Sequence, residues 1–446
     1  MLSGTASPEP GALFSDIRLA GRPAVVAAVS GGGDSLALLF LLRDFLKSLP
    51  EAPTLLAVTV DHGLRPDSSA EARAVGELAA AHGIAHRTLR WEGAKPASGV
   101  SAAAREARLA LLARAAREAG TDLVLTAHTA DDQAETLAMR LARGRGRGAA
   151  GIAPATLYEE SVWLVRPLLQ TRRAALRAYL GGRGIGWFED PTNRDPRFER
   201  ARVRGSLDES RIQALLAEAR EAQALREEAG RSAARLIRGG AERPAPGLIR
   251  FSLAAASDAD AGLYALRILL AAAGGTPHLP DEARSAALLR HIADARSRIS
   301  LSRAVVTRKR DWLYLHREAR NLPGLPLSAK QVWDGRYRIV AKGPVKGERI
   351  AAFGAANAAA QEIAESDVPA GLRRSALAAE PALWAGDRCL GLTRESELVT
   401  LRSVAAPWLK LLPSFDFAPA AALFELVGSP PPPTAPCVLQ DAQRTL

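Results

Sequence analysis

The stretch "AVVAAVSGGGDSLALLFLL", Ala24 to Leu42, decides how this chain is read. An apolar, β-branched run stops at Ser30-Gly31-Gly32-Gly33-Asp34-Ser35, and a leucine-rich segment with helical spacing follows at once. A glycine loop between a strand and a helix holds phosphate, because backbone N–H groups at a helix start attract anions. The acid in this loop is unusual. The common phosphate loop ends Gly-Lys-Ser/Thr, its lysine reaching the β- and γ-phosphates, whereas this one ends Gly-Asp-Ser. A carboxylate is tolerated beside phosphates when Mg²⁺ lies between them, since the cation reverses the local sign. Such a loop suits the grip on a leaving pyrophosphate while chemistry occurs at the α-phosphate.

Around this loop the chain alternates strand and helix. The segments 24–29, 54–62, 86–91, 121–128 and 162–169 read as buried strands, and 101–120 and 131–143 as helices. Alternation of this kind predicts βαβ units, hence an α/β fold with a doubly wound, Rossmann-like parallel sheet. Ligands of such sheets bind beyond the C-terminal strand ends. After about residue 205 the character changes: 210–238 is rich in Ala, Leu, Glu and Arg and predicts one long amphipathic helix. Three parts are expected: 1–208, the nucleotide-binding domain; 209–328, a helical linker and mixed middle domain; and 329–446, a small β-containing domain. "GSPPPPTAP" (428–436) reads as a linker or tail.

Composition narrows the function classes. In 446 residues, 48% are hydrophobic and 24% charged, the balance of a soluble globular protein. No apolar run approaches the length of a membrane span, and the first residues lack the charged start and apolar segment of a signal peptide. A cytoplasmic protein without a membrane partner is expected. Only two cysteines occur, Cys389 and Cys437, which argues against a disulfide framework or a cysteine metal cluster. The formal charge of +11, mostly arginine, fits a polyanionic partner or simply a high pI.

The whole pattern strand–Ser-Gly-Gly-x-Asp-Ser–helix resembles the pyrophosphate (PP) loop of the adenylating ATP pyrophosphatases: asparagine and GMP synthetases, NAD synthetase, tRNA thiolases and tRNA(Ile)-lysidine synthetase. Four further stretches narrow the resemblance. "VDHGLRPDSSAEA" (60–72) carries Asp61 and His62 at a strand end beside the loop, or is merely a loop with a capped helix start. "ASGVSAAAREARLALL" carries Arg105 and Arg108 at i,i+3, on one side of a helix. "LTAHTADDQAET" (125–136) places His128, Asp132 and Glu135 at i, i+4 and i+7, one face if the helix extends back to the histidine. Acids there also complement the helix dipole, and Asp131 is a candidate cap. "FEDPTNRDPRFERARVR" (188–204) joins an acidic turn to a run of arginines.

In this order the stretches resemble the tRNA(Ile)-lysidine synthetase family, densely over residues 22 to 205. Thr129 stands where that family commonly has a second histidine, and Ala201 where it commonly has an asparagine. The resemblance implies a ligase that adenylates C2 of the wobble cytidine in tRNA(Ile) with a CAU anticodon, consuming ATP. Lysine then displaces AMP through its ε-amine. On this reading Ser30, Gly31, Gly32, Gly33, Asp34 and Ser35 bind ATP with Asp61 and His62, and Asp34 is the Mg²⁺ ligand. Arg105 and Arg108 neutralise phosphate charge, or pair with Glu106 on a solvated face. Free lysine arrives as an ammonium, its amine pKa being about 10.4. Asp132 and Glu135 would hold it, and His128 or Asp132 take the proton. Arg143, Arg145 and Arg147 in the loop "ARGRGRGAAG", with Arg200, Arg202 and Arg204, would meet tRNA phosphates; the bland alternative is a solvated loop. A monomer and a homodimer are both compatible with the sequence. The rival readings are a 2-thiolating enzyme with the same loop, disfavoured by the lack of cysteine before Cys389, and a non-catalytic RNA-binding protein with a degenerate loop.

Overall fold

The computed structural model describes residues 7–144, 147–190, 195–294, 298–344 and 347–437. The chain divides into two compact units. The first runs to Arg226 and takes in Pro413–Phe415 and the chain from Pro433; the second is Glu227–Leu412 with Asp416–Pro432.

In the first unit a short helix α1 (Pro10–Phe14) precedes β1 (Ala24–Ala28), α2 (Gly33–Lys47), β2 (Thr54–Asp61), α3 (Ser68–Ala81) and β3 (Ala85–Arg90). There follow α4 (Val100–Glu118), β4 (Leu123–Leu125), α5 (Ala130–Leu141), β5 (Ala155–Tyr158), β6 (Val162–Val165), α6 (Arg173–Gly181), α7 (Glu199–Ser206) and the start of α8 (Glu209–Gly240). These strands pair in the order β5-β6-β4-β1-β2-β3. Strands β6, β4, β1, β2 and β3 run parallel, as Val26 facing both Leu56 and Val124 illustrates. Every residue of β1 is buried, which explains its unbroken apolar run. Helix α2 is apolar on nearly all sides for the same reason: Leu36 through Leu42 are all buried.

The expected doubly wound sheet is present, with one addition. Strand β5 lies antiparallel to β6, Thr156 opposite Leu164. Its hairpin turns at Glu159 and Glu160, both with positive φ (47° and 57°). A two-residue turn of that kind usually advertises itself as Asn-Gly or Asp-Gly, and Glu-Glu does not. The expected strand over 121–128 shrinks to three residues, because the chain leaves the sheet at Thr126 to build the site.

Chain order reverses between β1 and β4, so the loops after these two strands diverge and leave a crevice. The glycine loop and the His128 segment are those loops. The second unit holds an antiparallel sheet ordered 241–245, 248–252, 312–317, 304–309, 298–301, and two smaller antiparallel sheets of four and three strands. No helix among the described residues is long and apolar enough to cross a membrane.

Candidate active site

The crevice is a cavity of about 570 Å³ walled by the glycine loop, the ends of β2 and β4, α4, α5 and α6. Ser35 sets the loop. Its Oγ accepts from the Ser30 N–H (3.1 Å) and donates to the Gly32 carbonyl (2.9 Å), closing the turn onto the first residues of α2. At the turn into the helix Leu36 N–H donates to the Gly32 carbonyl at 3.0 Å, and N–H groups ahead of it have no helical partner. Gly31 is required: its φ is +84°, and a Cβ there would lie 2.9 Å from the Phe188 ring and 3.0 Å from Val75. Phe188 in turn donates its N–H to the Gly31 carbonyl (3.0 Å), and Trp187 lies against Gly33.

Asp34 projects from the first turn of α2. One carboxylate oxygen, Oδ2, accepts from Arg173 Nε at 3.0 Å; the other, Oδ1, is buried without a hydrogen-bond partner. Burial raises its pKa above the usual carboxylate range; the Arg173 charge opposes this and Asp132 adds to it. At the end of β2, Asp61 and His62 part company. Asp61 accepts from Gly63 N–H (2.8 Å) and Ser69 Oγ (2.7 Å), so both its oxygens shape the turn into α3. Expected as a nucleotide ligand, Asp61 is buried and does not line the cavity. His62 does line the cavity, its Nδ1 buried with no partner. Burial first, and Arg108 next, hold it below the usual imidazole range.

Helix α5 starts at Ala130, not at His128. Thr129 is its N-cap: Thr129 Oγ1 accepts from Asp132 N–H (3.3 Å), and Asp132 Oδ2 accepts from Thr129 N–H (2.9 Å), a capping box. The departure at Thr129 thus has a local cause, since a histidine cannot make this box. Asp131 is not the cap; it pairs with Arg172 (3.2 Å) and accepts from Arg173 N–H (2.7 Å). Thr129→Val keeps the shape and removes the oxygen, so unfolding free energy should fall by about 1 kcal/mol. Denaturant titration checks this; an unchanged midpoint would mean the cap contributes nothing.

Arg173 ties the carboxylates together. Beside Asp34 it meets Asp132 Oδ1 at 3.0 Å and Glu135 Oε1 at 3.3 Å. Glu135, with 2% of its side chain exposed, also accepts from Arg204 Nε at 2.7 Å and Arg200 Nε at 2.8 Å. Burial pushes its carboxyl up, but Arg204, Arg173 and Arg200 outweigh it and hold it below the usual range. The expected open carboxylate for an ammonium is therefore enclosed by three guanidiniums. Asp132 lines the cavity; Glu135 sits behind it.

Arg108 lines the cavity, while exposed Arg105 stands one turn back on α4. No carboxylate pairs with either among the described residues. Burial, with Arg105 beside it, lowers Arg108 from the usual guanidinium range. His128 Nδ1 lies 3.1 Å from Thr126 Oγ1, whose hydroxyl has the Val165 carbonyl as its acceptor at 3.5 Å. Burial, then Arg166, Arg108, Arg105 and Arg200, hold His128 well below the usual range, so the ring is neutral at pH 7.

The arginines expected to meet RNA divide. Arg200 and Arg204 line the cavity and grip Glu135, facing inward. Arg202 donates to the Pro196 carbonyl at 2.7 Å and the Arg197 carbonyl at 3.1 Å. Arg143 pairs with Glu199, Arg147 opens a single 3₁₀ turn, and Arg145 lies outside the described residues.

Residues 11–210 match the PP-loop domain family. A tRNA(Ile)-lysidine synthase of Mesorhizobium japonicum is 49% identical over 425 residues, 92% of this chain and 94% of that protein. The chain belongs to the tRNA(Ile)-lysidine synthase family. A lysidine synthase of Brucella melitensis biotype 2 is 42% identical over 345 residues, 73% of this chain and 76% of that one. Among solved structures, a U34-tRNA thiolase of Methanococcus maripaludis aligns with a TM-score of 0.41 at 18% identity, covering 48% of this chain and 77% of its own.

Among the cavity residues that were not anticipated as site residues are Arg173, Arg177, Trp187 and Phe188. Arg173 had a signal, a basic pair opening a helix just after a parallel strand. A cation at a helix N-terminus opposes the dipole and needs another reason to be there. Trp187 and Phe188 carried a weaker one, an aromatic pair directly ahead of the acidic turn.

Proposed function

We propose that this crevice adenylates the C2 carbonyl oxygen of the wobble cytidine in tRNA(Ile) with a CAU anticodon, and then joins lysine at C2 through its ε-amine. AMP and pyrophosphate are the by-products. The reading rests on one observation: Asp34, one of whose carboxylate oxygens is buried and unpartnered, lines the same cavity as Arg108, which makes no salt bridge among the described residues. A glycine loop with an unpartnered acid oxygen and a guanidinium on the same cavity suits a metal-bound polyphosphate.

Among the described residues no three His, Cys, Asp or Glu side chains gather as an all-protein metal site. Mg²⁺ needs none, since it is usually held by one or two carboxylates with substrate phosphates, and Asp34 Oδ1 fits that role. When bound, the ion supplies charge neutralisation at the phosphates. The chain's own groups do the rest. The glycine loop and α2 N–H groups hold the leaving pyrophosphate. Arg108, with Arg105 behind it, meets the charge that grows as the α-phosphorus is attacked. Asp132 offers the ammonium of lysine a fixed counter-charge at the cavity wall. His128 or Asp132 receives the proton that the amine must lose before it attacks. Placement in the cytoplasm and tRNA contacts by 209–328 and 329–446 belong to the same proposal.

Incubation with ATP, labelled lysine and total tRNA, then nucleoside analysis, tests it. Labelled lysidine is expected, dependent on ATP; pyrophosphate release without lysine transfer to tRNA would overturn it.

The salt dependence of tRNA binding tests the arginines of 143–147. Each phosphate contact in a single-stranded region contributes about −0.7 to the log–log slope. Replacing Arg143, Arg145 and Arg147 with alanine should make the slope shallower by about 1 to 2 and leave ATP binding as it was. An unchanged slope would make that loop a solvated one.

A further inference from the structure

We infer that Arg173 is a positioning residue that couples the two halves of the reaction by holding the metal-facing and amine-facing carboxylates on one guanidinium. The inference rests on the function proposed above and deepens it.

Arg173 uses each of its three nitrogens on a different acid: Nε on Asp34 (3.0 Å), Nη2 on Asp132 (3.0 Å) and Nη1 on Glu135 (3.3 Å). The first acid belongs to α2 and the glycine loop, the other two to α5. No other described residue bridges these two elements at the cavity. A planar fork can serve three directions at once; an ammonium, a point charge, cannot hold three divergent carboxylates in fixed places.

Its location argues against a merely architectural role. A cation in the first turn of α6 opposes the dipole of its own helix, so α6 does not gain from it. The docking of α6 on α5 is already made by the backbone N–H of Arg173 on Asp131 (2.7 Å) and by Arg172 on Asp131 (3.2 Å); Arg172 also pairs with Glu209 at the start of α8 (2.5 Å). The Arg173 side chain is left for the cavity, which it lines with 15% of its surface exposed.

The geometry has a directional consequence. With Oδ2 of Asp34 fixed by Nε, Oδ1 is the oxygen left without a partner. With Oδ2 of Asp132 fixed by the Thr129 cap and Oδ1 by Nη2, the Asp132 carboxylate has a single orientation toward incoming amine. Loss of the guanidinium frees both at once and leaves Asp34 and Asp132 to repel one another. A residue serving only one half-reaction would not do this.

The test compares Arg173→Met, Arg173→Lys and Arg172→Met in the full-length chain. Two quantities are read: the Mg²⁺ concentration giving half-maximal binding of a fluorescent ATP analogue, and the lysine concentration giving half-maximal lysidine formation. Both should rise by about 30-fold or more in Arg173→Met, the loss expected when one member of a buried charge group is removed. Arg173→Lys keeps the charge and the fold yet should still raise both, by less. Arg172→Met should lower the melting temperature and move neither constant. Nucleotide binding requires neither tRNA nor lysine, so that arm judges Arg173 even if the protein proves to make a product other than lysidine. A rise in one constant alone, in either Arg173 variant, would overturn the coupling. So would a fall in melting temperature with both constants unchanged.

Discussion

Asp34→Asn should lower pyrophosphate release from ATP about a thousandfold and leave the protein at least as stable as before. The first half follows from the open oxygen. Asn keeps the size of the side chain and can still accept from Arg173 Nε, but it removes the charge that a metal–phosphate complex requires. Removing one group aimed at developing charge in a closed site typically costs about 10²–10³ in rate, and here the lost charge serves both the metal–phosphate complex and Arg173. The second half follows from burial. The Asp34 carboxyl is raised above its usual range because desolvation outweighs Arg173, so its ionised form is held in the fold at a cost. A neutral amide removes that cost, while the helix start loses only a first-turn acid, about 0.3–1 kcal/mol. Activity and stability should therefore move in opposite directions, as at sites where function is kept against stability. The check pairs a pyrophosphate assay with thermal unfolding. Wild-type pyrophosphate release would remove Asp34 from the site, and parallel loss of both would make its role structural.

Much of this site was legible because its residues lie in short contiguous motifs at strand ends. The glycine loop, His62, Arg108, His128 and Asp132 each sit within a few residues of a parallel strand or on the helix beside it. The parallel order of those strands was implied by βαβ alternation, so their convergence could be foreseen. What the motifs could not convey was pairing. Asp61, Asp132 and Glu135 are all acids near the site in sequence. Only the fold shows that Asp61 closes a turn, that Asp132 is half committed to a cap, and that Glu135 is enclosed by guanidiniums from α6 and α7. Partners 38 to 69 positions away are set by how helices pack, and no local pattern encodes them. Strand β5 was missed for a related reason: its turn uses two glutamates at positive φ, held by the hairpin rather than by their own preference.

Glu135→Gln separates the two descriptions of that residue. As an open carboxylate waiting for lysine, its loss would leave adenylation intact and raise only the lysine requirement. The structure predicts otherwise. Both Glu135 oxygens are occupied, Oε1 by Arg204 and Arg173, Oε2 by Arg200. Gln presents one carbonyl oxygen and an amide NH₂ whose donors face guanidinium donors. Three cations are then left around the buried Glu135 position with only Asp34 and Asp132 as nearby carboxylates. Removing one member of a buried, hydrogen-bonded ion group typically costs about 3–5 kcal/mol, because the charges left behind keep their desolvation without compensation. Arg173 would draw closer to Asp34 and Asp132, and Arg200 and Arg204 would swing toward solvent or toward the bound phosphates. Adenylation and lysine capture should both decline, and the unfolding midpoint should fall clearly below that of Asp132→Asn, whose carboxylate lies at the cavity wall. Denaturant unfolding, adenylated tRNA formed without lysine, and lysidine formation across a lysine titration measure the three quantities. A Gln variant as stable as wild type, adenylating normally and deficient only in lysine use, would return Glu135 to the amine site and require one of its arginines to leave when lysine enters.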